Sequence, residues 1–260
     1  MSPLLLALLF WGPAWGWYVL VLGAGLVGAH ELYSMTHPGD RVSRGIGVLV
    51  CLGVSLCLYL YTTDARVLLT VAFVVPIIGV LLPLWRLGDI PSAALRMMSF
   101  VAGPFYIGLL TALAIIRRDL GAEGPSYVLM TLMFAWMADT GGYFAGRFLG
   151  KTPLYSAVSP KKTREGLLGA VGGALLGAAL ASLWYLPTIP LGHAFGLAVV
   201  CGLLGQLGDL SESLLKRSTV HKDSGTILPG HGGVLDRIDA LLIASPVVLL
   251  YATWSGLTGP

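Results

Sequence analysis

Charge is what this 260-residue chain most lacks: 11% of its residues are Asp, Glu, Lys or Arg, against 56% hydrophobic. Soluble domains carry about 25% charged residues. A water-soluble protein of this size could not hide so much apolar surface in one core, whereas a bilayer is itself an apolar solvent. Cysteine is scarce too. Cys51, Cys57 and Cys201 lie in apolar stretches with no CxxC and no Cys/His pairing. This argues against a disulfide framework or thiolate metal site and leaves them as small buried hydrophobes. Residues 1–30 contain no Asp, Glu, Lys or Arg. The basic region of a cleavable signal peptide is therefore missing, and the first apolar stretch reads as an uncleaved membrane segment. The net charge of +3 says little about partners, and no nucleic acid is expected.

Charge-free windows locate the spans at 45–63, 67–85, 97–116 and 240–260, each close to the ~20 residues a helix needs to cross a bilayer. The run 166–208 is long enough for two helices, with Pro187 and Pro190 at the turn. The expected fold is all-α and polytopic, with helices near 14–34, 44–63, 66–86, 92–116, 126–149, 165–186, 190–217 and 237–257. That makes about eight spans. Residues 3–12, before Gly12-Pro13, form a short or re-entrant ninth helix in an alternative count. We divide the one membrane domain into N-terminal helices (1–125) and a C-terminal part (126–260) with the catalytic loops.

Basic residues are asymmetric. The loops after the first, third, fifth and seventh helices hold twelve of the 16 Lys and Arg residues, the opposite loops only Arg66, Arg117 and Arg118, and Arg96 falls within a helix. By the positive-inside rule the basic loops face the cytosol. Gly23-Ala24-Gly25-Leu26-Val27-Gly28 spells G-x-G-x-x-G, but a dinucleotide site needs a preceding strand, and a membrane helix surrounds it here. Close helix packing is the expected role, as it is for Gly169, Gly173 and Gly177.

Charged groups within spans are costly and mark function by default. They cluster in the second half. Asp139 shares a helix face with Tyr143. Ser159-Pro160-Lys161-Lys162-Thr163 precedes a helix that Ser159 or Thr163 can cap, and two lysines beside a helix N-terminus suit a polyphosphate. Asp209, Glu212, Ser213, Lys216 and Arg217 form one polar stripe at i, i+3, i+4, i+7 and i+8. The glycine-rich run from His221 through His231 to Gly232-Gly233 reads as a shaped loop. Asp236 and Asp239 then open the last helix on one face, where paired acids can hold a hard cation. Together these are the parts of phosphoryl-group chemistry.

The run Ser213, Lys216-Arg217, Lys222-Asp223, Gly225, Leu228-Pro229, His231-Gly232-Gly233, Asp236-Arg237-Ile238-Asp239 resembles the signature of phosphatidate cytidylyltransferases, or CDP-diglyceride synthases. The Ser159–Gly166 segment resembles a second block of that family, with Arg164 where members often have Trp and Val220 where they often have Gly. His30-Glu31 lies near the family's acidic position after the first span. The resemblance implies conversion of phosphatidate and CTP to CDP-diacylglycerol and pyrophosphate with Mg2+, a second metal ion being allowed. It implies Asp209 and Asp236 as first metal ligands, with Asp239 and Asp139 behind them. Lys161, Lys162, Lys216, Arg217, Lys222 and Arg237 would hold phosphates. Asp223 is a further acid of the site, Ser213 and His231 would orient ligands, and Ser159, Thr163, Gly232 and Gly233 would line the nucleotide site. The expected partners are CTP, phosphatidic acid, the bilayer and a second copy in a homodimer. The expected location is a bacterial-type inner membrane with the site facing the cytosol. The alternatives are a CTP-dependent polyprenol or phytol kinase, an ether-lipid cytidylyltransferase and an ion-coupled transporter.

Overall fold

The computed structural model describes residues 3–219, 224–225 and 232–256. Lys222, Asp223 and His231 therefore lie outside the described residues. The chain is an all-α polytopic membrane protein. Its helices are α1 (Pro3–Trp11), α2 (Ala14–Thr36), α3 (Arg41–Leu60), α4 (Ala65–Trp85), α5 (Ile90–Gly108), α6 (Ala112–Asp119), α7 (Gly124–Leu149), α8 (Arg164–Leu180), α9 (Leu191–Ser218) and α10 (Leu235–Trp254). Among the described residues, six helical stretches are long and apolar enough to cross a membrane: α2, α3, α4, the α5–α6 unit, α8 with its extension to Tyr185, and α9. α7 and α10 stand outside that set; they have the length, at 26 and 20 residues, but carry Asp139 and Arg147, and Asp236, Arg237 and Asp239.

The ninth helix is real but short. α1 has nine residues, about 14 Å at 1.5 Å per residue, against a hydrocarbon core of about 30 Å. Arg117 holds its C-terminal end, donating from Nε to Leu9 O at 2.8 Å and from its terminal nitrogen to Gly12 O at 3.0 Å. These satisfy carbonyls the helix leaves without partners. The predicted span 92–116 is interrupted. α5 passes through a 3-10 turn at Leu109–Thr111 before α6, and Ser245 Oγ donates to Leu109 O there at 3.2 Å.

Local chemistry starts several helices. Asp40, Asp64 and Asp89 each accept backbone N–H groups in the first turns of α3, α4 and α5. Asp40 also pairs with Arg86 at 2.9 Å and Arg96 at 3.6 Å, tying the α2–α3 and α4–α5 connections together. Burial opposes ionisation of Asp40, but the bonds from Arg86 and Ser43 outweigh it and hold the carboxyl well below the usual range. His37 beside it is 1% exposed. Burial first, and the Arg96 charge second, push its pKa down to about 4.

Two features of the second half position the site. α7 and α8 pack backbone to backbone: a Cβ on Gly141 would strike Gly169 O, and one on Gly173 would strike Met137 O. The small-residue face expected on α8 thus meets α7. An antiparallel hairpin, β1 (Pro153–Tyr155) and β2 (Ser159–Thr163), joins them, with Pro153 opposite Thr163. The basic loop expected between these helices is thus a hairpin. Its base is held by the Glu165 carboxylate, which accepts from the backbone N–H of Lys151 and Thr152 at 3.1 and 3.2 Å. The G-x-G-x-x-G segment lies inside α2, where Gly25 faces Ile107 and Gly28 faces Ile238.

Candidate active site

Three carboxylates converge. Asp209 and Glu212 from α9 and Asp239 from α10 each bring an oxygen within 4.8 Å of the other two. Glu212 and Asp239 are buried, at 2% and 8% exposure. The i, i+3 spacing on α9 puts the first two on one face, and α10 packs against α9 there, with Gly208 directly opposite Ile243 and Asp239 O.

Two lysines flank the cluster. Lys162 Nζ, carried in by β2, lies 2.6 Å from Asp209 Oδ2 and 3.4 Å from Gln206 O. Lys216 Nζ, two turns along α9, lies 2.5 Å from Asp236 Oδ1 and 3.5 Å from Glu212 Oε1. Asp236 Oδ2 also accepts from Gly233 N at 2.9 Å and Ser224 N at 3.3 Å. The Asp236 carboxyl adjoins that of Glu212. Of the four acids expected to face a metal, Asp209 and Asp239 meet. Asp236 sits one position outside, engaged by Lys216, and Asp139 lies on the wall of a neighbouring cavity. Ser213 Oγ donates to Asp209 Oδ1 at 3.4 Å.

The start of α10 is built from a distance. Glu31 of α2 accepts from Val234 N at 3.0 Å, Leu235 N at 2.8 Å and Ser224 Oγ at 3.2 Å. It therefore does the work of an N-cap from another helix. Gly233 must be glycine because a Cβ there would run into Ser224 Oγ and Glu31, and Gly232 has φ +75°.

Two cavities of different character reach the cluster. The first, about 360 Å³, carries charged and polar side chains on its wall, with Asp139, Tyr143, Arg147, Lys161, Lys162, Thr163, Gln206 and Asp209 beside Leu154, Leu167 and glycines. Thr163 Oγ1 caps α8 by accepting from Gly166 N at 3.1 Å. Ser159 lies half-buried on β2, and Arg217 and Arg237 are exposed on α9 and α10. The second cavity, about 310 Å³, is mainly apolar, with Leu32, Leu95, Met98, Ala102 and Leu215 beside Tyr106 and Glu212. Asp209 lines the first and Glu212 the second, one helical turn apart.

Sequence reasoning gave Glu212 no metal role, although its spacing from Asp209 and Lys216 was the available signal. It left Glu31 without a structural role, and missed Gln206 and Tyr106, which are neutral and sit in apolar runs.

An all-α membrane fold that buries a cluster of three carboxylates flanked by two lysines has the makings of a membrane-embedded enzyme. The chain belongs to the cytidylyltransferase family, whose model matches residues 1–254. It is similar to the phosphatidate cytidylyltransferase of Bacillus subtilis (strain 168), with 42% identity over 141 residues, covering 54% of this chain and 52% of that protein. It is also similar to the phosphatidate cytidylyltransferase of Synechocystis sp., with 46% identity over 132 residues covering 49% and 44% of the two chains. The protein of that name in Staphylococcus aureus (strain COL) is 41% identical over 128 residues, covering 49% of each. The chain spans about half the length of the curated relatives it matches.

Proposed function

We propose that the chain transfers the cytidylyl group of CTP to phosphatidate, forming CDP-diacylglycerol and pyrophosphate. One observation carries this reading: a single carboxylate cluster is reached from a cavity with charged side chains on its wall on one side and a mainly apolar one on the other. A nucleotide triphosphate suits the first, where Lys161 and Lys162 meet the N-terminal end of α8. Acyl chains suit the second. A phosphate on the lipid would then sit at the cluster.

The donor set fits a hard divalent cation such as Mg2+, which prefers carboxylate oxygens. Four carboxyl groups, of Asp209, Glu212, Asp239 and Asp236, face two ammonium groups, of Lys162 and Lys216, so acids outnumber bases at the site. Asp209, Glu212 and Asp239 would hold the cation, with Asp236 and Asp139 beside them. A bound divalent ion supplies charge neutralisation for the phosphates and polarises the phosphorus under attack. Lys162 is placed to leave Asp209 for a triphosphate oxygen. Lys216 keeps Asp236 and Glu212 in register. Ser213 steadies Asp209; Arg217, Arg237 and Lys222 complete the phosphate-holding set, Asp223 is a further acid of the site, and His231 orients the ligands. A phosphatidate oxygen attacks the α-phosphorus, a new P–O–P linkage forms, and the bond to the β-phosphate breaks. The nucleophile is already anionic near neutral pH, so no general base is required. A cytosolic site and a homodimer belong to the same proposal; the skewed basic loops support the first.

The test is incubation of purified protein with CTP, phosphatidate and Mg2+. Pyrophosphate release with CMP appearing on the lipid supports the proposal. CDP release would make the protein a kinase, and ion flux in liposomes without nucleotide would make it a transporter.

A further inference from the structure

We propose that the Tyr106 hydroxyl is a binding group for the lipid substrate, donating a hydrogen bond to its phosphate where the apolar cavity meets the carboxylate cluster. The inference rests on the function proposed above and adds a residue that charge patterning does not reveal.

Tyr106 lies on α5 with its ring half-buried, but its hydroxyl oxygen is sealed from solvent and has no hydrogen-bond partner among the described residues. Glu212 Oε1 is in the same condition, facing Lys216 at 3.5 Å without receiving a hydrogen bond. Both residues line the cavity of about 310 Å³ whose other walls include Leu95, Met98 and Leu215. The hydroxyl also lies within electrostatic reach of Glu212, Asp239 and Asp209. A buried hydroxyl with no partner costs free energy that a phenylalanine ring of the same shape would avoid. A hydroxyl without a partner in a mainly apolar wall, beside a charged cluster, points to a ligand that arrives through that cavity and carries an acceptor.

The ligand's chemistry follows. The cavity takes hydrocarbon, the cluster takes a cation-bridged anion, and a phenol donates to an oxyanion in a charge-assisted bond. A phosphate attached to acyl chains meets all three conditions at once. Free phosphate meets only two, and a neutral diacylglycerol lacks the anion.

Tyr106→Phe removes the hydroxyl and keeps the ring. The KM for phosphatidate should rise about tenfold, while the KM for CTP stays unchanged and the melting temperature without lipid holds or rises, because the substitution removes an unpartnered buried hydroxyl. A binding measurement stands apart from turnover. Short-chain phosphatidate should raise the melting temperature of the unsubstituted protein more than the matching diacylglycerol does, and Tyr106→Phe should erase that difference. An unchanged KM for phosphatidate, or equal changes in both KM values, overturns the assignment. So does a phosphate-dependent stabilisation that survives the substitution. Absence of CMP transfer in the unsubstituted protein refutes the proposed reaction instead, and the melting experiment still decides whether Tyr106 reads a lipid phosphate.

Discussion

The Lys162 ammonium lies 2.6 Å from the Asp209 carboxylate, so the hairpin between α7 and α8 is fastened to α9 by one ion pair. The pair lies on the wall of the cavity of about 360 Å³. In the proposed reaction a triphosphate entering there would compete with Asp209 for the lysine and leave the carboxylate available to a cation. Lys162→Met should therefore raise the KM for CTP by about tenfold or more. Lys162→Arg, which keeps the charge but changes its shape, should recover only part of the loss. Steady-state kinetics with each substrate varied separately checks this, and an unchanged KM for CTP would detach Lys162 from the nucleotide.

Removing a cluster carboxylate should stop the reaction without unfolding the protein. Asp239→Asn or Glu212→Gln should cut turnover by more than about 100-fold, with membrane insertion retained. Asp236→Asn should act differently, because Asp236 adjoins Glu212 and holds Lys216 but does not meet Asp209 and Asp239 in the three-carboxylate cluster. Lys216→Met alone leaves Asp236 and Glu212 uncompensated and should destabilise by about 3 kcal/mol. The pair Lys216→Met with Asp236→Asn should cost less than the sum of the two changes. Additive melting shifts would show that the pair does not act as a unit.

Gly233 and Gly23 make a matched contrast. A Cβ on Gly233 meets Ser224 Oγ and Glu31, whereas a Cβ on Gly23 meets nothing within 4 Å. Gly233→Ala should displace the start of α10 and lower activity more than about tenfold. Gly23→Ala, in a helix exterior, should be neutral or stabilising by up to about 1 kcal/mol. An active Gly233→Ala would mean that Glu31 does not define the α10 terminus.

His37 should make stability pH-dependent. Its pKa falls from 6.5 to about 4 in the folded chain, so the unfolded chain takes up the proton first. The contribution is fully present above pH 6.5 and is lost as pH falls toward 4. The groups facing it are Arg96, Asp40 and Thr36, with Tyr33 and Phe100 against the ring. Across that window the native protein should weaken relative to His37→Phe. Parallel melting curves for the two proteins would exclude His37 as the cause.

Much of the helical frame was legible because a bilayer demands long charge-free runs, and the short connections between the first runs hold Asp40, Asp64 and Asp89, which cap the next helix. The hairpin was not legible. Its two strands cover only three and five residues, too few for an alternating pattern to stand out from a basic loop. Asp209 and Asp239 could be seen because charge in an apolar run is conspicuous. The exchange of Asp236 for Glu212 at the cluster could not, because the rotation of α10 against α9 is set by packing at Gly208 and Ile243, not by spacing along either helix. Glu31 capping α10 from some 200 residues away is a purely tertiary fact.

The contact between α7 and α8 is made of bare main chain at Gly141, Gly169 and Gly173. Such a junction has no rotamers to freeze when it forms, so ordering it costs little side-chain entropy. Nor does it have rotamers to release when a substrate arrives. The helix pair from which the Lys161 and Lys162 hairpin springs is therefore joined by main chain, and any fit to differently sized guests in the proposed reaction would fall to the long lysine chains themselves.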